Sequence, residues 1–239
     1  MRRSFAILAA ALLLACASAP PAPAPGRAGA FGYLKLVPRE GVVPASGGSH
    51  SYGDREFEGV AFVDYSKPGF AVVYADAAAA KPAPADGSDR IAVTIRAGAT
   101  HSVFDPPHAA LGAGGEISVA NQSGEPHVVS CPSAGLVKRI APGESIAIPV
   151  PTPGEWPLYL LDVAGEQAAV FAAPGPYRVV SASGRFELPD LEPGRGQLHA
   201  WHPRFPPTSI WVDLVADTNQ RVDVELRVGE REGTTADAQ

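Results

Sequence analysis

Proline and glycine number 25 each in 239 residues, and this load limits the fold more than any other feature of the chain. Proline removes a backbone donor and breaks helix interiors, and glycine weakens them, so a chain punctuated this often is cut into short pieces. The pieces alternate. Val222, Val224, Leu226 and Val228 point one way while Asp223, Glu225 and Arg227 point the other, the pattern of a strand with one wet face. Similar runs, each bounded by Gly, Pro, Asn or Asp, are Gly59–Tyr65, Phe70–Tyr74, Ile91–Arg96, Glu116–Asn121, His127–Cys131, Ser145–Val150, Pro157–Asp162, Gln167–Ala172, Tyr177–Ser181, Gly196–Trp201 and Ile210–Leu214. Repeated short strands with turn signals predict an all-β fold of sandwiches or barrels. A chain of 239 residues can bury a large core, and one or two domains is the expectation.

The N-terminus is of a different kind. Arg2 and Arg3 precede an apolar run from Phe5 to Leu14, followed by Ala15, Cys16 and Ala17: a basic region, a short apolar region and a small-residue cleavage zone, as in a signal peptide. The run is shorter than the roughly 20 apolar residues of a permanent span. Leu13-Leu14-Ala15-Cys16 resembles the lipobox of bacterial lipoproteins, in which the cysteine becomes the lipidated first residue. Ordinary cleavage near Ala15-Cys16-Ala17 or Ala17-Ser18-Ala19 is the competing reading. Ala19 to Arg27 (APPAPAPGR) then reads as a semi-rigid tether, Ala75 to Asp89 as a surface loop, and the tail from Gly229 as frayed. If Cys16 carries a lipid, Cys131 is the one remaining thiol and no internal disulfide can form. The formal net charge of -6 is thinly spread, without the clustered basic face that nucleic acid requires.

From Ile91 to Val170 the order of features resembles a cupredoxin. A strand leads into Phe104-Asp105-Pro106. Gly114 to Asn121 then precedes a polar turn and Glu125-Pro126-His127-Val128-Val129. Ile140-Ala-Pro-Gly-Glu144, a strand and Pro153-Gly154-Glu155 follow. The likeness is to plastocyanin-like envelope proteins of the methylamine-utilisation type. Beyond it, Gly184-Arg185-Phe186, Leu188, Pro193-Gly194 and Trp201-His202 look like a carboxypeptidase regulatory-like module, a small prealbumin-type β-sandwich. That resemblance implies that strands near Gly59–Tyr74 belong with the C-terminal module and that the cupredoxin-like part is inserted between them. The expected organisation is signal peptide 1–15, tether 16–30, an N-terminal β region 31–89 partly pairing with the C-terminal module, a cupredoxin-like Greek-key domain 90–175, the regulatory-like module 176–228 and a tail 229–239.

A blue-copper centre needs two imidazoles, a thiolate and usually an axial Met. His127 matches the early His that the resemblance implies. The late loop should lie within Leu160 to Phe171, which holds no Cys, His or Met, and the only Met is Met1. Cys131 follows His127 by four residues on one strand, about 13 Å away at ~3.3 Å per residue. A joint site with metal bonds of about 2.0–2.3 Å would need a sharp bend. Cys131 is therefore read as a small buried residue, with His127 and Cys131 kept as candidate ligands of a non-standard site. His199 and His202 face opposite sides of a strand, His101 and His108 flank Asp105 on a loop, and His50 carries no signal. No Gly-x-Ser-x-Gly, His-Glu-x-x-His, P-loop or Gly-x-Gly-x-x-Gly motif is present, so no enzyme is expected.

Three functional readings follow. In the first, the chain is a non-catalytic exported lipoprotein, without a cofactor, whose cupredoxin-like domain lacks the copper ligands. In the second it is a periplasmic copper carrier or electron-transfer protein using His127. In the third it is an accessory subunit of an envelope redox or transport complex, docking through an exposed β edge or through the loop aromatics Trp201, Phe205 and Trp211. The expected partners are a membrane, through the lipid, and an envelope protein; nucleic acid is excluded.

Overall fold

The computed structural model describes residues 20–38, 64–76, 89–180 and 182–227. The signal peptide, Cys16, His50, the tail, most of the strand expected at Gly59–Tyr65 and most of the loop from Ala75 to Asp89 lie outside them. Among the described residues there is no α-helix, and no helix is long and apolar enough to cross a membrane.

The strands are β1 (Ala28–Val37), β2 (Val72–Ala75), β3 (Arg90–Ala97), β4 (Ser102–Asp105), β5 (His108–Gly112), β6 (Glu116–Asn121), β7 (His127–Cys131), β8 (Leu136–Ile140) and β9 (Ser145–Pro149). They continue as β10 (Gly154–Leu160), β11 (Gln167–Ala173), β12 (Tyr177–Val179), β13 (Arg185–Leu191), β14 (Gly194–His202), β15 (Phe205–Leu214), β16 (Asn219–Arg221) and β17 (Val224–Arg227). The all-β expectation holds. Ala28 to Ala30, grouped with the tether above, open β1, and Ala24 and Gly26 already donate backbone N–H groups to Asp190 and Asp217. The short, small side chains of this segment let it enter the sheet where Pro/Ala composition alone suggests a linker.

The strands form two sandwiches. In the first, β13-β1-β16, with β17 also on β1, faces β12-β2-β14-β15. Leu34, Leu36, Phe186, Leu188, Leu198, Val212, Val224 and Leu226 fill its core. The alternation read at Val222–Val228 is realised here: Val224 and Leu226 point inward, Glu225 and Arg227 outward. In the second, β4-β3-β6-β9 faces β5-β11-β10-β7-β8 around Val93, Ile95, Ile117, Val119, Val129, Ile148, Leu158 and Val170. The chain changes sheets between β4 and β5 at the cis Asp105–Pro106 bond.

A third apolar cluster joins the two. Phe171 of β11 stacks on Trp201 of β14 at 4.8 Å and leans on Tyr74 of β2 at 5.2 Å. The Trp201 indole N–H donates to Glu155 of the second sandwich at 2.7 Å. Trp201 and Phe205 are thus buried, at 4% and 5% exposure, and cannot serve as the docking aromatics read from the sequence; Trp211, 62% exposed, is the one of the three that faces solvent. Burial follows from parity: Trp201 shares the outward face of β14 that β11 covers, while Phe205 closes the first core.

Leu158→Ala, which opens a cavity in the second core, is expected to cost about 2–5 kcal/mol, and Trp201→Ala at the joint about 3–5 kcal/mol, both read by urea denaturation followed by circular dichroism.

Candidate functional site

Asn121 builds the site. Fully buried at the end of β6, it accepts the backbone N–H and the hydroxyl of Ser123 at 3.0 and 2.7 Å. Its amide donates to the carbonyls of Glu125 and Ile140 at 2.8 and 3.2 Å. A strand ending in Asn before a polar turn thereby becomes a rigid bend, and the bend delivers His127 to the first position of β7 with a side chain only 3% exposed.

Both ring nitrogens of His127 have protein partners. Nδ1 lies 2.7 Å from Asp162 Oδ2, and Nε2 lies 3.0 Å from the Ser102 hydroxyl. A carboxylate can only accept, so Nδ1 carries the proton, and Nε2 meets a hydroxyl able to donate or accept. The other Asp162 oxygen accepts the Val128 N–H at 2.9 Å, a bond that ties the loop between β10 and β11 to β7. Gly165 supplies the φ of +77° that lets this loop turn back. Burial alone would raise the Asp162 pKa, but the Val128 N–H, the His127 ring and its own backbone amide together hold it below the ordinary value of 3.8.

These residues line a cleft of about 460 Å³ with Thr100, His101, Glu125, Val163 and Ala164. Glu166 stands beside it, accepting the Phe104 N–H at 2.7 Å and lying 3.8 Å from His101 Nε2. Sequence reading found His127 but neither Asp162, which it placed at the end of a strand, nor Ser102. An acid in the turn after a strand that pairs with the His-bearing strand is the signal that could have pointed to Asp162. His101 and His108 do not share a site: the first faces this cleft, and the second stacks on Phe70 at the seam of the sandwiches.

Type 1 copper does not fit these residues. An ion at His127 would have to displace the Asp162 or the Ser102 hydrogen bond. Cys131 is no second ligand, for it is fully buried in the core at the other end of β7. Burial pushes its thiol pKa up, against the thiolate that copper requires, although the Ala134 and Ser133 N–H groups pull the other way. Among the described residues no three His, Cys, Asp or Glu side chains are grouped to hold a metal ion.

No family model and no curated protein matches the chain. Among solved structures, a purple cupredoxin from Nitrosopumilus maritimus is similar at 14% identity over 34% of this chain and 98% of its own, with a TM-score of 0.31. Reduced auracyanin from Roseiflexus castenholzii matches at 17% identity over 36% of this chain and 98% of its own, with a TM-score of 0.29. A mutant amicyanin in the Cu(I) form matches at 18% identity over 43% and 97%, with a TM-score of 0.28.

The depressed Asp162 pKa has a definite sign. A carboxyl whose folded pKa is lowered contributes stability above its unfolded pKa and loses it as pH falls through the folded value. Between about pH 5 and pH 2 the wild-type protein is expected to lose more stability than Asp162→Asn, as read by thermal melts across that range.

Proposed function

We propose that this chain is an exported envelope lipoprotein, anchored through Cys16, whose second sandwich is a cupredoxin-type domain without copper. With a regulatory-like prealbumin-type sandwich beside it, it works as a non-catalytic binding or structural module. The observation that carries the reading is the double engagement of His127: its Nδ1 proton is committed to Asp162 and its Nε2 to Ser102.

The order Ser102–His127–Asp162 is also that of a nucleophile, a base and the acid that orients it. The surroundings oppose acyl transfer. An oxyanion needs donors aimed at the place where negative charge develops. Here the Phe104 N–H, two residues beyond Ser102 on β4, is already held by the Glu166 carboxylate, and Glu125 and Asp162 line the same cleft. A site rimmed by carboxylates raises the cost of a second negative charge. The hydrogen bonds are better suited to fastening loops than to moving a proton through a reaction.

Protein incubated with Cu(II) and desalted is expected to be colourless and to hold no stoichiometric copper; one tightly held copper would overturn the proposal. A fluorophosphonate probe should leave Ser102 unlabelled, and covalent labelling there would make the site catalytic. Mass spectrometry of the mature N-terminus should show a lipid on Cys16, whereas an unmodified start beyond that residue removes the anchor.

A further inference from the structure

At the seam between the sandwiches lies a second cleft, of about 340 Å³, lined by Leu36, Asp64, Lys67, Pro68, Gly69, Phe70, His108, His202, Pro203 and Arg204. We propose that it binds a small organic anion, with a carboxylate or phosphate held by Lys67 and Arg204 and an apolar body against Phe70 and the His108 ring.

The charge balance comes first. Lys67 and Arg204 are both exposed, and no ion pair or side-chain hydrogen bond among the described residues engages either. Among the described lining residues the single carboxylate is Asp64, which feels the Lys67 charge and is turned into its own loop, where one oxygen accepts both the N–H and the hydroxyl of Ser66 at 2.9 and 2.5 Å. Two cations against one occupied carboxylate leave the cleft positive on a chain whose formal charge is -6. A local reversal of sign against the whole molecule concentrates anions at that place.

The two imidazoles have different duties. His202 donates from Nε2 to the Pro68 carbonyl at 3.1 Å and accepts the Arg204 N–H on Nδ1 at 3.0 Å. It is spent on holding the two chain segments that carry Lys67 and Arg204, and burial pushes its pKa down to about 4. His108 is half-buried and stacked on Phe70 at 5.6 Å with the planes 21° apart, and its ring makes no hydrogen bond among the described residues. Desolvation lowers its pKa, so near neutral pH it is an uncharged ring offering one donor and one acceptor. An imidazole ring stacked on a phenyl ring, beside two cations that no described ion pair holds, suits a ligand with one charged end and one flat apolar end. The volume is that of a small-molecule pocket.

The site is composite. His108 belongs to β5 of the second sandwich, and the other lining residues lie on the first or on the segment before β2, so a ligand here would span both units. It shares no residue with the His127 cleft, so the copper test and the test below can fail separately.

The test is calorimetric titration of the full chain at low ionic strength with phenyl phosphate, benzoate, inorganic phosphate and benzyl alcohol. Expected are one-to-one binding of phenyl phosphate or benzoate, weaker binding of inorganic phosphate and none of the alcohol; the stronger of the first two identifies the charged group. Charged hydrogen bonds of about 1.5–3 kcal/mol predict that Lys67→Gln with Arg204→Gln weakens binding roughly tenfold or more. These exposed positions should leave the circular dichroism unchanged. The His108 pKa, followed by NMR, should rise when the anion binds. Absence of saturable binding of either aromatic anion at millimolar concentration overturns the proposal, as does binding that the double variant leaves intact or that leaves the His108 pKa unmoved.

Discussion

The central position of β1 governs the rest of the structure. It pairs antiparallel with β13 and parallel with both β16 and β17, so the earliest described strand is completed only by strands from the far end of the chain. Such a sheet requires closing a very long loop, whose entropy cost grows only with the logarithm of its length. The second sandwich shortens this closure because it packs around its own core and returns its two ends to one place. Asp89, just before β3, accepts the Gly112 N–H and, at 3.2 Å, the Tyr177 hydroxyl from β12. Beside it, the Ala113 N–H donates to Ala173 and the Ala75 N–H to Pro176, both at 2.9 Å. Burial first, and Asp89 second, push the Tyr177 pKa up, which keeps the phenol a donor at this junction.

The joint between the sandwiches is aromatic with a polar pin. Phe171, Trp201, Tyr74 and Phe70 form one cluster, and the Trp201 N–H to Glu155 hydrogen bond fixes its orientation. Stacking of this kind resists sliding because its optimum depends on ring offset and angle. The seam cleft opens beside the same cluster, with Phe70 shared between them. Phe70, edge-on to Trp201 at 6.3 Å, thus gives the cleft one wall that is set before any ligand arrives, and preorganisation of that sort lowers the cost of binding.

What the sequence disclosed depended on the range of each interaction. β6 and β7 appear within the residues Glu116–Asn121 and His127–Cys131 read from alternation, because clean apolar periodicity stops at Asn and at Pro. β1 was not among the runs read from alternation, although a β region partly pairing with the C-terminal module was expected from residue 31, because AGAFGYLKLV mixes glycine and alanine into its pattern and its partners lie more than a hundred residues on. β13 escaped for a local reason: Pro189 and Asp190, the latter at φ +58°, interrupt a strand that nevertheless stays paired with β1. At the site, His127 was legible because Pro126 and Asn121 bracket it. Asp162 and Ser102 were not: they lie 35 and 25 residues away, and Asp162 meets His127 through the pairing of β10 with β7, Ser102 only where the two sheets pack face to face.

That packing explains why a polar triad can occupy the end of an apolar sandwich. Ser102 belongs to β4 in one sheet, while His127 on β7 and Asp162 on the loop after β10 belong to the other. The imidazole therefore bridges the two layers, with its side chain only 3% exposed while both partners are in place. An unsatisfied buried N–H costs about 1–3 kcal/mol, so the geometry favours keeping all three residues together. A metal ion could tie the same strands and loop only with ligands that keep free lone pairs. With the Nδ1 proton given to Asp162, the tie between the two layers is made by hydrogen bonds, and these close the end of the sandwich.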